Sequence, residues 1–353
     1  MPNFKAAVLT HQNQPLSIVD GVRYNKPGPG QVLVKLAFSG VCHSQLMEAR
    51  GGRGVDPFLP HMLGHEGSGK VVEVGEGVSK VRQNDLVILG WIKGQGLDAG
   101  GVKYSCACSD EKYNAGPVTT FNEYAVVSEN RVVPLPSGVP LDIAVLFGCA
   151  VPTGAGIMTN DLKPIAGSSV AVFGLGGIGM SALMATRLFQ CDKVIAIDVS
   201  SDKLKVAHSF GATHIINSET NDPISKIRAL TGDYGVDYAV EASGNAKVIE
   251  QAFASIRRGG GVCVFASHPK QGSTISIDPY ELICGKHIKG SWGGSSNPDR
   301  DIPTFAKLYL EGKLPLEKLI TKRYQLDEIN EALDDLEQGL VMRPIIEIDT
   351  SIC

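Results

Sequence analysis

The sequence predicts an α/β chain: a mainly β first domain, then a domain of alternating strands and helices around a parallel sheet. Length is the first observation. At 353 residues the chain exceeds the roughly 250 to 300 residues at which a single hydrophobic core stops growing, so two domains are expected. The second is a series of short Val- and Ile-rich segments over residues 1–150, alternating with polar residues and punctuated by Gly and Pro. That alternation marks half-buried strands. The third is a change of rhythm near Ser168, after which short apolar segments are separated by stretches able to form helices. This is the pattern of βαβ units.

In chain order, LSIVDGV (16–22), QVLVKLAFSGV (31–41), GSGKVVEVGEGV (67–78), DLVILGW (85–91), FNEYAVV (121–127) and NRVVPLP (130–136) read as strands, with a turn at Pro27-Gly28-Pro29-Gly30. Beyond Ser168 the strands are SVAVF (169–173), KVIAIDV (193–199), HIIN (214–217), VDYAVEA (236–242) and GGVCVFA (260–266). IGMSALMATRLF (178–189) and SDKLKVAHSFG (201–211) are helical candidates between them. The tail has mixed character, with an amphipathic stretch LDEINEALDDLEQG (326–339) and a strand-like PIIEI (344–348). The expected domains are 1–150, 151–291 and a C-terminal return over 292–353.

Composition narrows the function classes. With 43% hydrophobic and 20% charged residues the chain is a folded globular protein rather than a disordered one. A net charge of −4 without a Lys/Arg run leaves no electrostatic footprint for nucleic acid or an anionic membrane. The N-terminal stretch MPNFKAAVLTHQNQPL has no basic segment followed by an apolar one. No apolar run reaches the roughly 18 residues that span a bilayer. A cytoplasmic chain is expected, its 8 cysteines reduced.

After SVAVF comes Gly174-Leu-Gly176-Gly177-Ile178-Gly179, opening a helical run. The first glycine permits a tight turn, the second lets backbone N–H groups approach a pyrophosphate, and the third allows helix and strand to pack closely. Phosphate then sits at the positive end of a helix dipole. The next strand ends in Asp198, where a carboxylate accepts ribose hydroxyls and repels a 2′-phosphate, so NAD is favoured over NADP. Lys203, one turn into the following helix, is a second candidate for the ribose. The second domain therefore reads as a Rossmann dinucleotide-binding domain.

Cys42, His65 and Cys149 are spread over the first half. Two thiolates and one imidazole suit Zn²⁺, and three protein ligands with one open position describe a catalytic site. Spacing alone does not connect them. The order of GVCHS, GHEGSG, DLVILGW, CAVPTGAG, VFGLGGIG, IKGSWGG and Met342-Arg343-Pro344 over nearly the whole chain resembles the zinc-dependent medium-chain alcohol dehydrogenases. The resemblance implies a GroES-like first domain, with Cys42, His65 and Cys149 as catalytic zinc ligands and Glu66 behind the metal. It implies Ser44 as the hydroxyl that bonds the substrate oxygen, His43 and Arg343 at the pyrophosphate, and Thr153 and Ile178 against the nicotinamide. Trp91 corresponds to an aromatic wall of the substrate pocket and Asn114 to a second pocket position. The resemblance further implies a homodimer or homotetramer extended through the edge strand near IKGSW, and a cleft between domains where zinc and nicotinamide meet.

Three departures stand out. The stretch that carries four closely spaced cysteines in many relatives has only Cys106 and Cys108 here, so a structural zinc is expected to be absent and one zinc per chain present. Gln45 stands where relatives usually have Asp, removing a negative charge beside the metal. Met47 stands where a relay His is common and cannot carry a proton. The expected function is reversible hydride transfer between a primary or aromatic alcohol, or its aldehyde, and NAD. A polyol or sugar-alcohol dehydrogenase is the alternative, and a non-catalytic nucleotide-binding protein of the same fold is the alternative of another class.

Overall fold

The structure, a computed structural model, describes residues 3–107 and 109–352. Cys108, one of the two cysteines left where many relatives carry four, and Cys353 lie outside the described residues. The chain divides into two compact units. One runs through Cys149 and takes in Asn297–Leu310 and the chain from Leu316 onward; the other comprises Ala150–Ser296 and Glu311–Pro315.

In the first unit, strands Phe4–Leu9, Ser17–Arg23, Lys103–Cys106, Lys112–Asn114 and His61–Met62 close into a barrel. A second sheet runs Val132–Pro134, Leu86–Leu89, Gly67–Val74, Gln31–Gly40, Arg343–Glu347 and Ile320–Gln325, with Tyr124–Ser128 also paired to Gln31–Gly40. The strand Gln31–Gly40 shows why the alternation works. Val32, Val34 and Leu36 enter one apolar cluster with Val71, Val87, Leu89 and Val127, while Leu33 faces Phe4, Tyr104 and Tyr113 in another, as a period of two requires. The helix Ile329–Glu337 buries Ile329, Ala332 and Leu333 against Leu46 and Ala49 of the helix His43–Ala49. This contact seats the helix that carries Ser44.

The Gly-rich stretch 94–101 is held from beneath by Glu129. This residue is 1% exposed, and its carboxylate accepts the N–H groups of Ser79 at 2.7 Å, Lys80 at 2.9 Å and Leu97 at 2.7 Å. Burial opposes the charge, but these backbone donors outweigh it and hold the carboxyl below its ordinary value. Because the folded value is depressed, the contribution is complete above the unfolded Glu value near about 4.3 and is lost as pH falls through the lower folded value. Glu129→Gln turns an NH₂ toward a backbone N–H and is expected to cost about 1–3 kcal/mol. Urea denaturation at pH 7 checks it, and the deficit should shrink in acid.

Cys106 is disulfide-bonded, which corrects the expectation that every cysteine is reduced and removes its sulfur from any ligand set. Burial raises the thiols of Cys263 and Cys191, the latter to about 11, as packing residues should behave.

The second unit has a parallel sheet in the order His214–Asn217, Lys193–Asp198, Ser169–Phe173, Tyr238–Glu241, Val262–Phe265 and His287–Gly290. Of Ser169–Phe173 all but the first residue are buried, as a central strand covered on both faces requires. Strand order proceeds one way from Ser169–Phe173 through Lys193–Asp198 and the other way through Tyr238–Glu241. The carboxyl end of Ser169–Phe173 is therefore the topological switch point, where open α/β sheets bind ligands. Gly174 begins there. Ser200, Asp222 and Asn245 cap the next helices through their side-chain oxygens. Among the described residues no single helix is long and apolar enough to cross a membrane.

Candidate active site

In the first unit, Cys42 follows the strand Gln31–Gly40 and caps the helix His43–Ala49. His65 and Glu66 directly precede the strand Gly67–Val74, and Cys149 follows the short helical turn Val145–Gly148. Two glycines make room where these segments converge. A β-carbon at Gly40 would lie 2.6 Å from the carboxyl carbon of Glu66, and one at Gly148 would lie 2.6 Å from Glu66 Cβ. Glu66 is 0% exposed only because both positions lack a side chain.

Ligand atoms of Cys42, His65, Glu66 and Cys149 lie within 4.8 Å of one another. The two sulfurs are 3.9 Å apart. Their shared hydrogen bond holds Cys42 well below the ordinary thiol range, with help from Arg343, and pushes Cys149 well above it, with help from burial. His65 Nε2 is buried without a hydrogen-bond partner. A thiolate, a second thiol and an orphaned imidazole nitrogen form a donor set that fits zinc, whose binding would displace the remaining proton.

The surroundings orient these donors. Gln45, 2% exposed, accepts the Cys42 N–H on Oε1 at 2.9 Å, while its Nε2 meets His65 Nδ1. Ser44 Oγ lies 3.4 Å from the same Nδ1. Arg343, 3% exposed, donates from Nη2 to both carboxylate oxygens of Glu66. Burial raises the Glu66 carboxyl against the pull of Arg343. The guanidinium, which burial alone would depress, is raised by Glu66 and the two sulfurs. Arg343 Nε has no partner, and His43 is exposed at the start of its helix.

Trp91 is half-buried against the cluster around Val87 and Leu89. Asn114 spends its Nδ2 on the Phe58 carbonyl at 2.7 Å, so its amide ties down the loop before Pro60. Sequence reasoning missed a second group, Glu48, Asp56 and His61, in which His61 Nε2 lies 2.6 Å from Asp56 Oδ2. The stretch 48–61 has no periodicity to reveal it. The group forms because His61–Met62 folds back to pair with Leu9 and Val8.

In the second unit the three glycines of the loop have separate tasks. Gly174 has φ +86°; a β-carbon at Gly179 would lie 1.8 Å from the Gly174 carbonyl oxygen, and one at Gly176 would meet nothing within 4 Å. Tight turn, close packing and open approach are all present. Gly177 and Ile178 begin the helix Gly177–Ala185. Asp198 accepts the N–H of Leu175 at 2.6 Å and of Ser200 at 2.8 Å, so the acidic residue is locked to the loop. The Lys203 N–H reaches Ser200 Oγ at 3.4 Å. Thr153 is buried in the helix Ala150–Gly156. That helix meets Ile178 through Gly154, where a β-carbon would lie 2.1 Å from the Ile178 carbonyl oxygen.

A family model described as alcohol dehydrogenase GroES-like domain matches residues 28–137, and one described as zinc-binding dehydrogenase matches residues 177–311. The S-(hydroxymethyl)glutathione dehydrogenase of Escherichia coli O1:K1 is 33% identical over 97% of this chain and 99% of its own length. The chain belongs to the zinc-dependent medium-chain alcohol dehydrogenases. Among solved members of this fold, the benzyl alcohol dehydrogenase of Acinetobacter calcoaceticus is 31% identical with a TM-score of 0.88, over 99% of this chain and 100% of that one. An alcohol dehydrogenase zinc-binding domain protein of Burkholderia ambifaria is 32% identical with a TM-score of 0.89, over 98% and 99%. The expected α/β class, with a GroES-like first domain and a nucleotide-binding second one, is borne out. As a zinc alcohol dehydrogenase the chain is an oxidoreductase, and its family implies zinc and NAD(H).

Proposed function

We propose that this dehydrogenase interconverts a primary or aromatic alcohol and its aldehyde with NAD, using one zinc per chain held by Cys42, His65 and Cys149. The observation that carries the reading is the convergence of those donors, with two buried sulfurs 3.9 Å apart beside an unpartnered imidazole nitrogen. When bound, zinc supplies a Lewis acid for the alcohol oxygen and NAD the hydride acceptor. Ser44 Oγ takes the alcohol proton and releases its own. Met47 cannot continue that path, so water or another residue completes it. Glu66, braced by Arg343, backs the ligands, and Gln45 orients His65.

In the nucleotide site, Gly174 makes the turn, its own N–H held by the Ile197 carbonyl at 2.9 Å, and Gly176, Gly177 and Gly179 open the loop backbone to the pyrophosphate, with His43 and Arg343 as counter-charges. Thr153 and Ile178 flank the nicotinamide, and Asp198 and Lys203 take the ribose. Trp91 and Asn114 are the proposed pocket residues. The engagement of Cys106 in a disulfide supports a single zinc. A cytoplasmic setting belongs to the same reading on the strength of the free Cys42 and Cys149 thiols, with the Cys106 disulfide as the exception to it. So does a homodimer or homotetramer, for which the open edge of His287–Gly290 offers a pairing surface. The relative named for benzyl alcohol supports the aromatic choice.

A panel of primary, secondary, aromatic and polyol substrates with NAD and NADP tests this. Primary or aromatic alcohols with NAD are expected to give the highest kcat/KM, and Asp198→Gly to shift the NAD:NADP preference by about tenfold. A wild-type preference for polyols or for NADP would overturn it.

A further inference from the structure

The second unit buries one carboxyl group for which the proposed chemistry has no use. Glu241 ends the strand Tyr238–Glu241, in register with Phe173, and is 0% exposed. Its Oε1 accepts three donors from the turn that follows: the Ser243 N–H at 2.7 Å, Ser243 Oγ at 2.5 Å and the Gly244 N–H at 3.0 Å. Its Oε2 is buried without a partner. An acid in this position costs free energy that a packed apolar residue would not, so its three bonds to one turn need a reason.

That turn is the seat of the phosphate loop. A β-carbon at Gly174 would lie 2.8 Å from Ser243 N and 3.0 Å from the Ala242 carbonyl carbon, and one at Gly179 would lie 3.5 Å from Ala242 Cβ. The first glycine is therefore fitted directly to residues 242–243 and the third to the first, through the Gly174 carbonyl oxygen 1.8 Å from its β-carbon position, while the second faces open space. Ser243 Oγ also accepts the N–H of Asn245 at 3.3 Å, and Asn245 caps the helix Ala246–Ser255. One carboxyl thus fixes the turn, the turn fixes the loop, and the loop presents its N–H groups.

We propose that Glu241 is the positioning residue of the nucleotide site, setting dinucleotide affinity through the turn Ala242–Gly244 without touching the ligand. This rests on the nucleotide-binding reading above. Burial raises the carboxyl above its ordinary value against the pull of its donors, and its role here is that of a hydrogen-bond acceptor on Oε1. Glutamine keeps that acceptor; leucine removes it and leaves three donors unpaired.

The test is NADH titration of the full-length protein by fluorescence, with melting temperature and zinc content measured in parallel. Glu241→Leu is expected to weaken NADH about tenfold, and Glu241→Gln to stay within about threefold of wild type. KM for NAD should rise in Glu241→Leu while KM for the alcohol and zinc content hold. Ser243→Ala, which deletes one of the three donors and also the acceptor of the Asn245 N–H, should weaken NADH about threefold and serves if Glu241→Leu does not fold. Wild-type NADH affinity in a folded Glu241→Leu or in Ser243→Ala would overturn the role of Glu241. Failure of the wild-type protein to bind NADH would instead overturn the nucleotide-binding reading itself.

Discussion

Replacing Cys149 by alanine is expected to abolish alcohol oxidation while leaving NADH binding at its wild-type level. Cys42, His65, Glu66 and Cys149 form one donor group, and Glu66 is already committed to Arg343. Without Cys149, only Cys42 and His65 remain free to ligate, and two protein ligands do not make a catalytic zinc site. Loss of a Lewis acid worth several kcal/mol lowers kcat/KM by about 10³-fold or more. Nucleotide affinity should not follow, because Gly174, Gly176, Gly179 and Asp198 belong to the unit Ala150–Ser296, whereas all four donors belong to the other. Elemental analysis should show zinc lost from Cys149→Ala, and NADH fluorescence should titrate as before. Full activity in the zinc-free variant would defeat the assignment, and joint loss of zinc and NADH binding would mean the substitution unfolded the chain.

The contrast between the two sites explains what the sequence could and could not reveal. The glycine loop is local: strand, turn, helix and Asp198 lie within a short span, and each glycine has a backbone reason that the motif already encodes. The metal-type group is not local. Cys42, His65 and Cys149 meet because Gly40 and Gly148 let Glu66 lie between their segments, a steric fact invisible until the strands are paired. Only resemblance linked these residues in advance. The barrel was less legible still. Of its five strands only Ser17–Arg23 was foreseen, and closure depends on short pairings such as His61 with Leu9 and Asn114, which no periodicity marks. Glu241 and Glu129 escaped notice for a related reason. A lone Glu at the end of a strand or in a turn reads as solvated, and only the backbone N–H groups gathered around each shows otherwise.

The Arg343–Glu66 pair should behave as a coupled unit. Both side chains are nearly inaccessible, at 4% and 0%, and Arg343 is the cation that the carboxylate meets. Arg343→Met removes it and leaves a buried carboxylate beside two sulfurs. The expected cost is about 3–5 kcal/mol of unfolding free energy, since breaking one side of a buried pair exposes the full desolvation penalty of the other. Glu66→Leu alone should cost a similar amount by stranding the guanidinium. The double variant, Glu66→Leu with Arg343→Met, should recover most of that loss, because desolvation of an intact buried pair offsets much of its attraction. Urea denaturation of metal-stripped protein measures this cycle free of any contribution from bound zinc. Additive losses in the double variant would mean that the pair does not interact in solution and that Arg343 is buried for another purpose. Recovery of stability without recovery of kcat would mean that the two charges serve the reaction and not the fold, through the field at Cys42 and Cys149 or through Arg343 as the proposed counter-charge of the pyrophosphate.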